Sequence, residues 1–300
     1  MIYKEWMKYI RDDVKITEVI MPGTHNAGSY GMTVLARCQE DTLFKQFEHG
    51  VRHFCIRYCG DKKGQILLSH GPIKGRPLAE ALQDMRRMIE ENSSEFFLFD
   101  MREYYPQKIG PFTLTSPADD ATVIDLIEKY LAPEKYAFTD YDSIGDVTMG
   151  DLRKSGKRFI IINYRNAYQP WCRECEHILP WSGELHAKKP EVFTKEVFSH
   201  FDNNSTNGVF WFQTQLTPEL NLKGGYHTPK KLEKNLLPYY QDIISTIASN
   251  PAYLGKANVI SGDFMTAGYF KCREIIKLNL IKNTVKEEMK EEFERKLNSK

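Results

Sequence analysis

Residues 78–103 read LAEALQDMRRMIEENSSEFFLFDMRE, and the two halves of this stretch obey different periods. Leu78, Leu82, Met85 and Ile89 recur on one side with charges opposite, the stripe of an amphipathic helix over Leu78–Glu91. After Asn92-Ser93-Ser94 the pattern becomes an apolar run, Glu95–Met101, of the kind found in strands covered on both faces. A helix feeding such a strand is the repeating unit of α/β folds.

The alternation extends outward in both directions. Lys15–Met21, Arg52–Arg57, Gln65–Ser69, Lys157–Asn163, Gly208–Leu216 and Ala257–Asp263 are further strand-type runs. Asp119–Leu131 and Leu232–Ala248 carry the helical period, and Tyr269–Leu280 reads as a closing helix. No repeat or linker divides the chain. The expectation is one α/β domain over 1–300 with its core at about 15–280, and seven or eight strands favour a (β/α)8 barrel over an open sheet. The terminal segment 284–300, with VKEEMKEEFERKLNSK, reads as a charged helix with a solvated face.

Composition narrows the class of partner. Hydrophobic residues at 41% and aromatics at 12% belong to a folded globular chain, and a net charge of +1 provides no field for nucleic acid. No window of about 18 apolar residues is present, so membrane contact is expected to be peripheral. The opening MIYKEWMKYIRDDVK lacks the apolar core of a signal peptide. A chain made without a cleaved signal, or one begun after it, is expected, and cytoplasmic and secreted locations both stay open. Six cysteines are too sparse for a disulfide scaffold. Cys172 and Cys175 form a lone CxxC with only His177 and His186 near, which favours loop thiols over zinc.

In a barrel the carboxyl ends of the strands share one mouth. The strand-type runs end in, or carry near their ends, His25-Asn26, Arg57, His70, Asp100-Arg102-Glu103, Asn163-Tyr164-Arg165, Gln213 with Gln215, and Asp263. Two histidines flanking a phosphodiester serve as general base and general acid. Arginine presents a planar fork of donors to phosphoryl oxygens and stabilises their growing charge. An aspartate behind the base fixes its tautomer. His25, His70, Arg57 and Asp263 therefore form the candidate set, with no metal demanded, whereas His49, His177, His200 and His227 read as ordinary satisfied polar residues.

The motifs holding these residues resemble the phosphatidylinositol-specific phospholipase C X-domain family in its bacterial and trypanosome-type, metal-independent form. PGTHNAGSYG at 22–31 resembles the family's first-histidine turn, and GVRHFCIR at 50–57 its second-strand motif. LLSHGPIKGRPLAEALQDMRRMIEENSSEFFLFDMREYY at 67–105 resembles the second-histidine stretch of bacterial members, and ANVISGDF at 257–264 the strand with the aspartate. The match runs from about Ile16 to Ile276, strong in the first hundred residues and loose between Asn163 and Ala257.

The resemblance implies a distorted TIM barrel that cleaves the glycerol–phosphate bond of inositol phospholipids without metal or cofactor. By that likeness His25 takes the proton of the inositol 2-hydroxyl, which attacks phosphorus, and His70 protonates the departing diacylglycerol oxygen. Asp263 would support His25, and Arg57 would bind phosphate. Asn26, Arg102 and Arg165 would contact the substrate, Arg102 standing where bacterial members carry a lysine. The implied products are diacylglycerol and inositol 1,2-cyclic phosphate, with slower opening of the cyclic ester. The implied partner is free phosphatidylinositol or a glycosylphosphatidylinositol (GPI) anchor at a membrane surface, acted on by a monomer.

Departures from the family pattern bear on activity. Calcium-dependent members supply an acidic pair on the second strand, where this chain has Cys55 and Arg57. Metal-independent members normally have aspartate at the Cys55 place, and many bacterial ones at the Asn26 place too. Their loss predicts a less firmly oriented Arg57 or another partner for it. Asn26 and Arg37-Cys38-Gln39 are similar to trypanosome-type GPI-cleaving enzymes. Trp181 and Trp211 are candidates to stack on the inositol ring, with a core role the competing reading for Trp211, while Tyr104-Tyr105-Pro106 and Trp171 or Trp181 are expected at the membrane. The rival readings are a catalytically impaired inositol-phospholipid headgroup-binding protein and a glycerophosphodiester phosphodiesterase. The second needs acidic metal ligands and an arginine after the first histidine, and the sequence has neither.

Overall fold

The computed structural model describes residues 2–103, 108–109, 112–162, 169–179, 189–217, 220–221, 225–267 and 270–299. In chain order its strands are β1 (Met21–Thr24), β2 (His53–Gly60), β3 (Ile66–His70), β4 (Ile73–Pro77), β5 (Phe97–Glu103), the short pair β6 (Lys108–Ile109) and β7 (Phe112–Thr113), β8 (Phe159–Ile162), β9 (His177–Ile178), β10 (Val209–Gln213), the short pair β11 (Leu220–Asn221) and β12 (Gly225–Tyr226), and β13 (Val259–Gly262). The barrel wall runs β9-β10-β13-β1-β2-β5-β8 with every neighbour parallel. Strands β8 and β9 are not joined among the described residues, so this is a distorted barrel, open on one side.

Strand β3 departs from expectation. Its apolar run suits the parallel wall, yet it runs antiparallel to β2, as Tyr58↔Leu68 and Gly60↔Ile66 show, and turns back into β4. The physical reason is the short Asp61–Gln65 connection, since a parallel partner needs a crossover of a dozen residues or more. Strand β2 pairs with β1 along its first half and with β3 along its second. The hairpin therefore rises above the wall and carries His70 to the mouth.

The run Lys15–Met21 is also not a strand; β1 begins only at Met21. Two asparagines occupy the backbone groups that a ladder would use. Asn258 Nδ2 donates to the carbonyls of Ile16 and Val19 at 2.9 and 2.7 Å, and Asn279 brackets Ile20, accepting from its N–H at 3.0 Å and donating to its carbonyl at 2.7 Å. Pro238 splits the helix expected over Leu232–Ala248 into Pro229–Leu236 and Tyr240–Ser249, joined by a 3-10 turn. The helix Leu78–Glu91 stands where its period placed it, with Leu78, Leu82, Met85 and Ile89 buried.

Register sorts the wall into two faces. Phe54, Phe97, Phe99, Phe159, Phe210 and Ile260 pack outward under the helices. The inward set is apolar at the amino ends, with Met21, Leu98, Ile160, Val209 and Val259 packed over the amino-terminal segment of Trp6, Met7 and Tyr9. Toward the carboxyl ends it becomes polar, with Cys55 and Arg57 on β2, Asp100 and Arg102 on β5, Gln213 on β10 and Ser261 on β13, while His53 at the amino end of β2 is a polar exception opposite Leu98. Gly23 permits this packing, because a Cβ there would meet Val259 Cγ1 at 2.8 Å and His53 Nδ1 at 3.0 Å. The charged terminal helix Lys290–Asn298 is not solvated all round. Phe293 and Leu297, one turn apart, are buried, and Phe293 packs on Tyr9 with centroids 5.2 Å apart.

Candidate active site

His25 follows β1, its N–H continuing the ladder to the Gly262 carbonyl at 3.1 Å. The chain then turns sharply through Asn26, whose φ of 48° lies in the left-handed region that asparagine tolerates. Beyond the turn, Gln39 binds the ends of β1 and β13 together. Its Nε2 donates to the carbonyls of His25 and Gly262, both at 2.9 Å, and its Oε1 accepts from the Met265 N–H at 3.2 Å. This bracket sets His25 Nδ1 2.8 Å from Asp263 Oδ1. Lys271, ion-paired with Glu233 and almost wholly buried, donates to the Asp263 backbone carbonyl at 2.8 Å.

His70 arrives from the hairpin. The two imidazoles stand edge to face with centroids 5.9 Å apart. His70 Nδ1 lies 2.7 Å from the Ala36 carbonyl, which can only accept, so that nitrogen carries the proton in the neutral ring and Nε2 is left for exchange. Burial, with Arg57 and Arg102 beside it, holds His25 well below the usual imidazole range, so it is neutral at pH 7. Burial pushes Asp263 up to about 7, against the pull of His70, Lys271, Cys38 and Arg57. His70 is lowered to about 4, by burial first and then by His25.

Arg57 and Arg102 are register partners on β2 and β5 at the same mouth. Arg102 Nε donates to both oxygens of the buried Asp100, at 3.0 and 2.7 Å. Trp211 lies beneath, its ring 4.8 Å from the Arg102 guanidinium carbon and 4.4 Å from the His53 ring. Trp211 is thus core, bonded through Nε1 to Ser261 Oγ, and does not stack on inositol. His53 is buried inside the barrel, where burial lowers it to about 3 and keeps it neutral.

Of the expected residues, the structure brings together His25, His70, Asp263, Arg57, Arg102 and Asn26, the last buried with its side chain against the Cys38 thiol. Arg165, Trp181 and the stretch 104–106 lie outside the described residues. Glu103 faces away from the mouth and accepts from the Ala118 N–H at 2.9 Å. Trp171 is buried and donates to Glu128 at 3.1 Å, so the expectation of a membrane-facing indole fails there. All six cysteines are free and buried. The sequence reading missed Gln39 as a bracket and the Lys271–Glu233 pair, because their partners are remote in sequence and no local pattern marks them.

Among the described residues, one group, His25, Cys38 and Asp263, holds potential ligand atoms within 4.8 Å of one another. It suits a hard cation poorly. Calcium takes six or more oxygens, whereas here a single carboxylate is already bonded to His25 and burial keeps the Cys38 thiol protonated.

No family model matches the chain. Phosphatidylinositol-specific phospholipase C from Listeria monocytogenes superposes with a TM-score of 0.68 at 19% identity, over 92% of this chain and 98% of that one. A single-site mutant of the Staphylococcus aureus enzyme gives 0.65 at 15% identity, over 95% and 97%. The fold is therefore the distorted TIM barrel of the bacterial phosphatidylinositol-specific phospholipases C. In sequence, a stretch of 108 residues, 33% of this chain, is 27% identical to the 1-phosphatidylinositol phosphodiesterase of Listeria monocytogenes and covers 33% of it. The Staphylococcus aureus protein of the same name is also 27% identical over 108 residues, 35% of its length. The match thus spans about a third of these curated relatives, and it supports the recognition of the phosphatidylinositol-specific phospholipase C family made from the motifs.

Proposed function

We propose that this chain is a metal-independent phosphodiesterase that cleaves phosphatidylinositol or a GPI anchor into diacylglycerol and inositol 1,2-cyclic phosphate. The observation that carries the reading is the facing pair of imidazoles, 5.9 Å between centroids, with His25 backed by Asp263 at 2.8 Å. The names and folds of the relatives support the substrate class.

The phosphate enters between Arg57 and Arg102, which bind its unesterified oxygens. His25 Nε2 accepts the proton of the inositol 2-hydroxyl as that oxygen bonds to phosphorus, and Asp263 stabilises the imidazolium. The bond from phosphorus to the glycerol oxygen breaks, and protonated His70 delivers its Nε2 proton to the leaving alkoxide. The low pKa of free His70 is compensated on binding, because an anionic phosphate beside it raises it. Opening of the cyclic ester by water would use the same groups in reversed roles.

Access to lipid is peripheral in this reading. Among the described residues no helix is long and apolar enough to cross a membrane. Val34 and Leu35 project at 56% and 48% exposure on the loop whose Ala36 carbonyl holds His70. Arg37, Lys230, Lys231 and Lys234 line a cleft beside Val34. An apolar tip beside cations fits an anionic bilayer surface.

The test is turnover of phosphatidylinositol vesicles in EDTA, with products identified by phosphorus NMR. Cyclic phosphate should form with the wild-type chain and vanish with His25→Ala and with His70→Ala. Binding without turnover would instead establish the headgroup-binding reading, and strict dependence on added calcium would overturn the metal-free mechanism.

A further inference from the structure

Asp100 lies inside the barrel with no exposed surface and faces Cys55 across the β2/β5 register. Both of its oxygens accept from Arg102 Nε, at 2.7 and 3.0 Å. One step nearer the mouth, Arg57 and Arg102 are themselves register partners, so two like charges are anchored at one level of adjacent strands. Among the described residues, counter-charge is scarce at this level. The Cys55 side chain hydrogen-bonds with Arg57, but burial pushes this thiol up and keeps it neutral, and Cys38 likewise. Asp263 acts on Arg57 too, yet it is engaged by His25. Asp100 binds Arg102 directly and reaches Arg57 through its charge alone.

The rest of the Arg102 environment is equally fixed. The indole of Trp211 supports its guanidinium at 4.8 Å, and Nη2 is buried without a protein partner. A guanidinium held by a carboxylate at Nε and by an aromatic ring, with a donor left over, is preorganised for an incoming oxygen.

We propose that Asp100 is a positioning residue that holds Arg57 and Arg102 together as one two-guanidinium site for the phosphoryl group, supplying from β5 the negative charge that position 55 on β2 lacks. This assignment rests on the phosphodiesterase reading above and gives Arg57, hydrogen-bonded to the neutral Cys55, a carboxylate charge at the neighbouring register position.

The experiment compares the wild-type chain with Asp100→Ser, Asp100→Asn and the double variant Cys55→Asp/Asp100→Ser. It reads turnover of phosphatidylinositol, binding of myo-inositol 1-phosphate by calorimetry, and thermal melting. The single variants should lose kcat/KM on the order of 10²-fold, as expected when reacting groups are misplaced by about 1 Å, and should bind inositol phosphate correspondingly less. The double variant should regain about tenfold or more of that loss, since its carboxylate stands at the same level of the barrel. Asp100→Asn keeps the shape of the side chain, which guards against a folding defect in the serine variant. Folded single variants with wild-type turnover and binding would overturn the proposal, as would a folded double variant no better than Asp100→Ser in either readout. A wild-type chain that binds inositol phosphate without turnover would refute the phosphodiesterase reading and leave the Asp100 assignment to be decided by binding alone. A wild-type chain that does neither would refute both.

Discussion

Replacing Asp263 by asparagine tests the proposed base most directly. In the wild-type chain Asp263 Oδ1 lies 2.8 Å from His25 Nδ1, so the centres of an imidazolium and a carboxylate would be separated by about 4 Å. At an effective dielectric constant of about 20, that pair is worth on the order of 4 kcal/mol, and the full amount matters only when His25 has accepted its proton. Losing it should lower kcat by about a thousandfold. The asparagine amide can also donate to Nδ1, which would place the ring proton on Nε2 and remove the base altogether. The assay is single-turnover cleavage of micellar phosphatidylinositol by the wild-type and Asp263→Asn chains, with KM and melting temperature measured alongside. KM should change little, because Arg57 and Arg102 keep their contacts. A folded Asp263→Asn chain with kcat within tenfold of wild type would refute the claim that the aspartate supports the charged form of His25.

Other outcomes follow from the same geometry. The acid role needs a proton on His70, lost as pH rises through about 4, and the base role needs Asp263 ionised, a state lost as pH falls through about 7. The productive form is then a minority species that peaks midway, so kcat/KM should trace a bell with its maximum near pH 5.5, roughly halfway between the two values, while the acid-dependent limb of kcat lies at higher pH; a kcat/KM still rising above pH 8 would contradict it. Arg52 and Glu95 form a wholly buried ion pair, and Arg52 also donates to the Tyr3 and Val51 carbonyls, both at 2.8 Å. Glu95→Gln should therefore cost about 3–5 kcal/mol in urea unfolding, with much of it recovered in Arg52→Met/Glu95→Leu, whereas a loss below about 1 kcal/mol would mean that the pair is not structural. Val34→Asp/Leu35→Asp should weaken sedimentation with anionic vesicles and leave hydrolysis of soluble inositol 1,2-cyclic phosphate unchanged; equal loss on both substrates would assign the loop to the site instead of to the membrane.

The sequence by itself determined what local chemistry can encode. The period of Leu78–Glu91, the apolar run after it and the turn Pro22–Asn26 are read from neighbours within a few residues, and they settled the α/β class and located His25, His70 and Asp263 at strand ends. The tertiary structure decided what depends on distant partners. Lys15–Met21 reads as a strand but is denied a ladder by Asn258 and Asn279, more than two hundred residues away. Strand β3 reads as a wall strand but is reversed against β2, and that reversal is what brings His70 to face His25. Cys55 reads as a missing carboxylate, and only the register of β2 against β5 shows Asp100 standing beside it. Pattern and propensity act along the chain, whereas counter-charge, burial and ring-to-ring distance exist only after the strands have closed around a common interior.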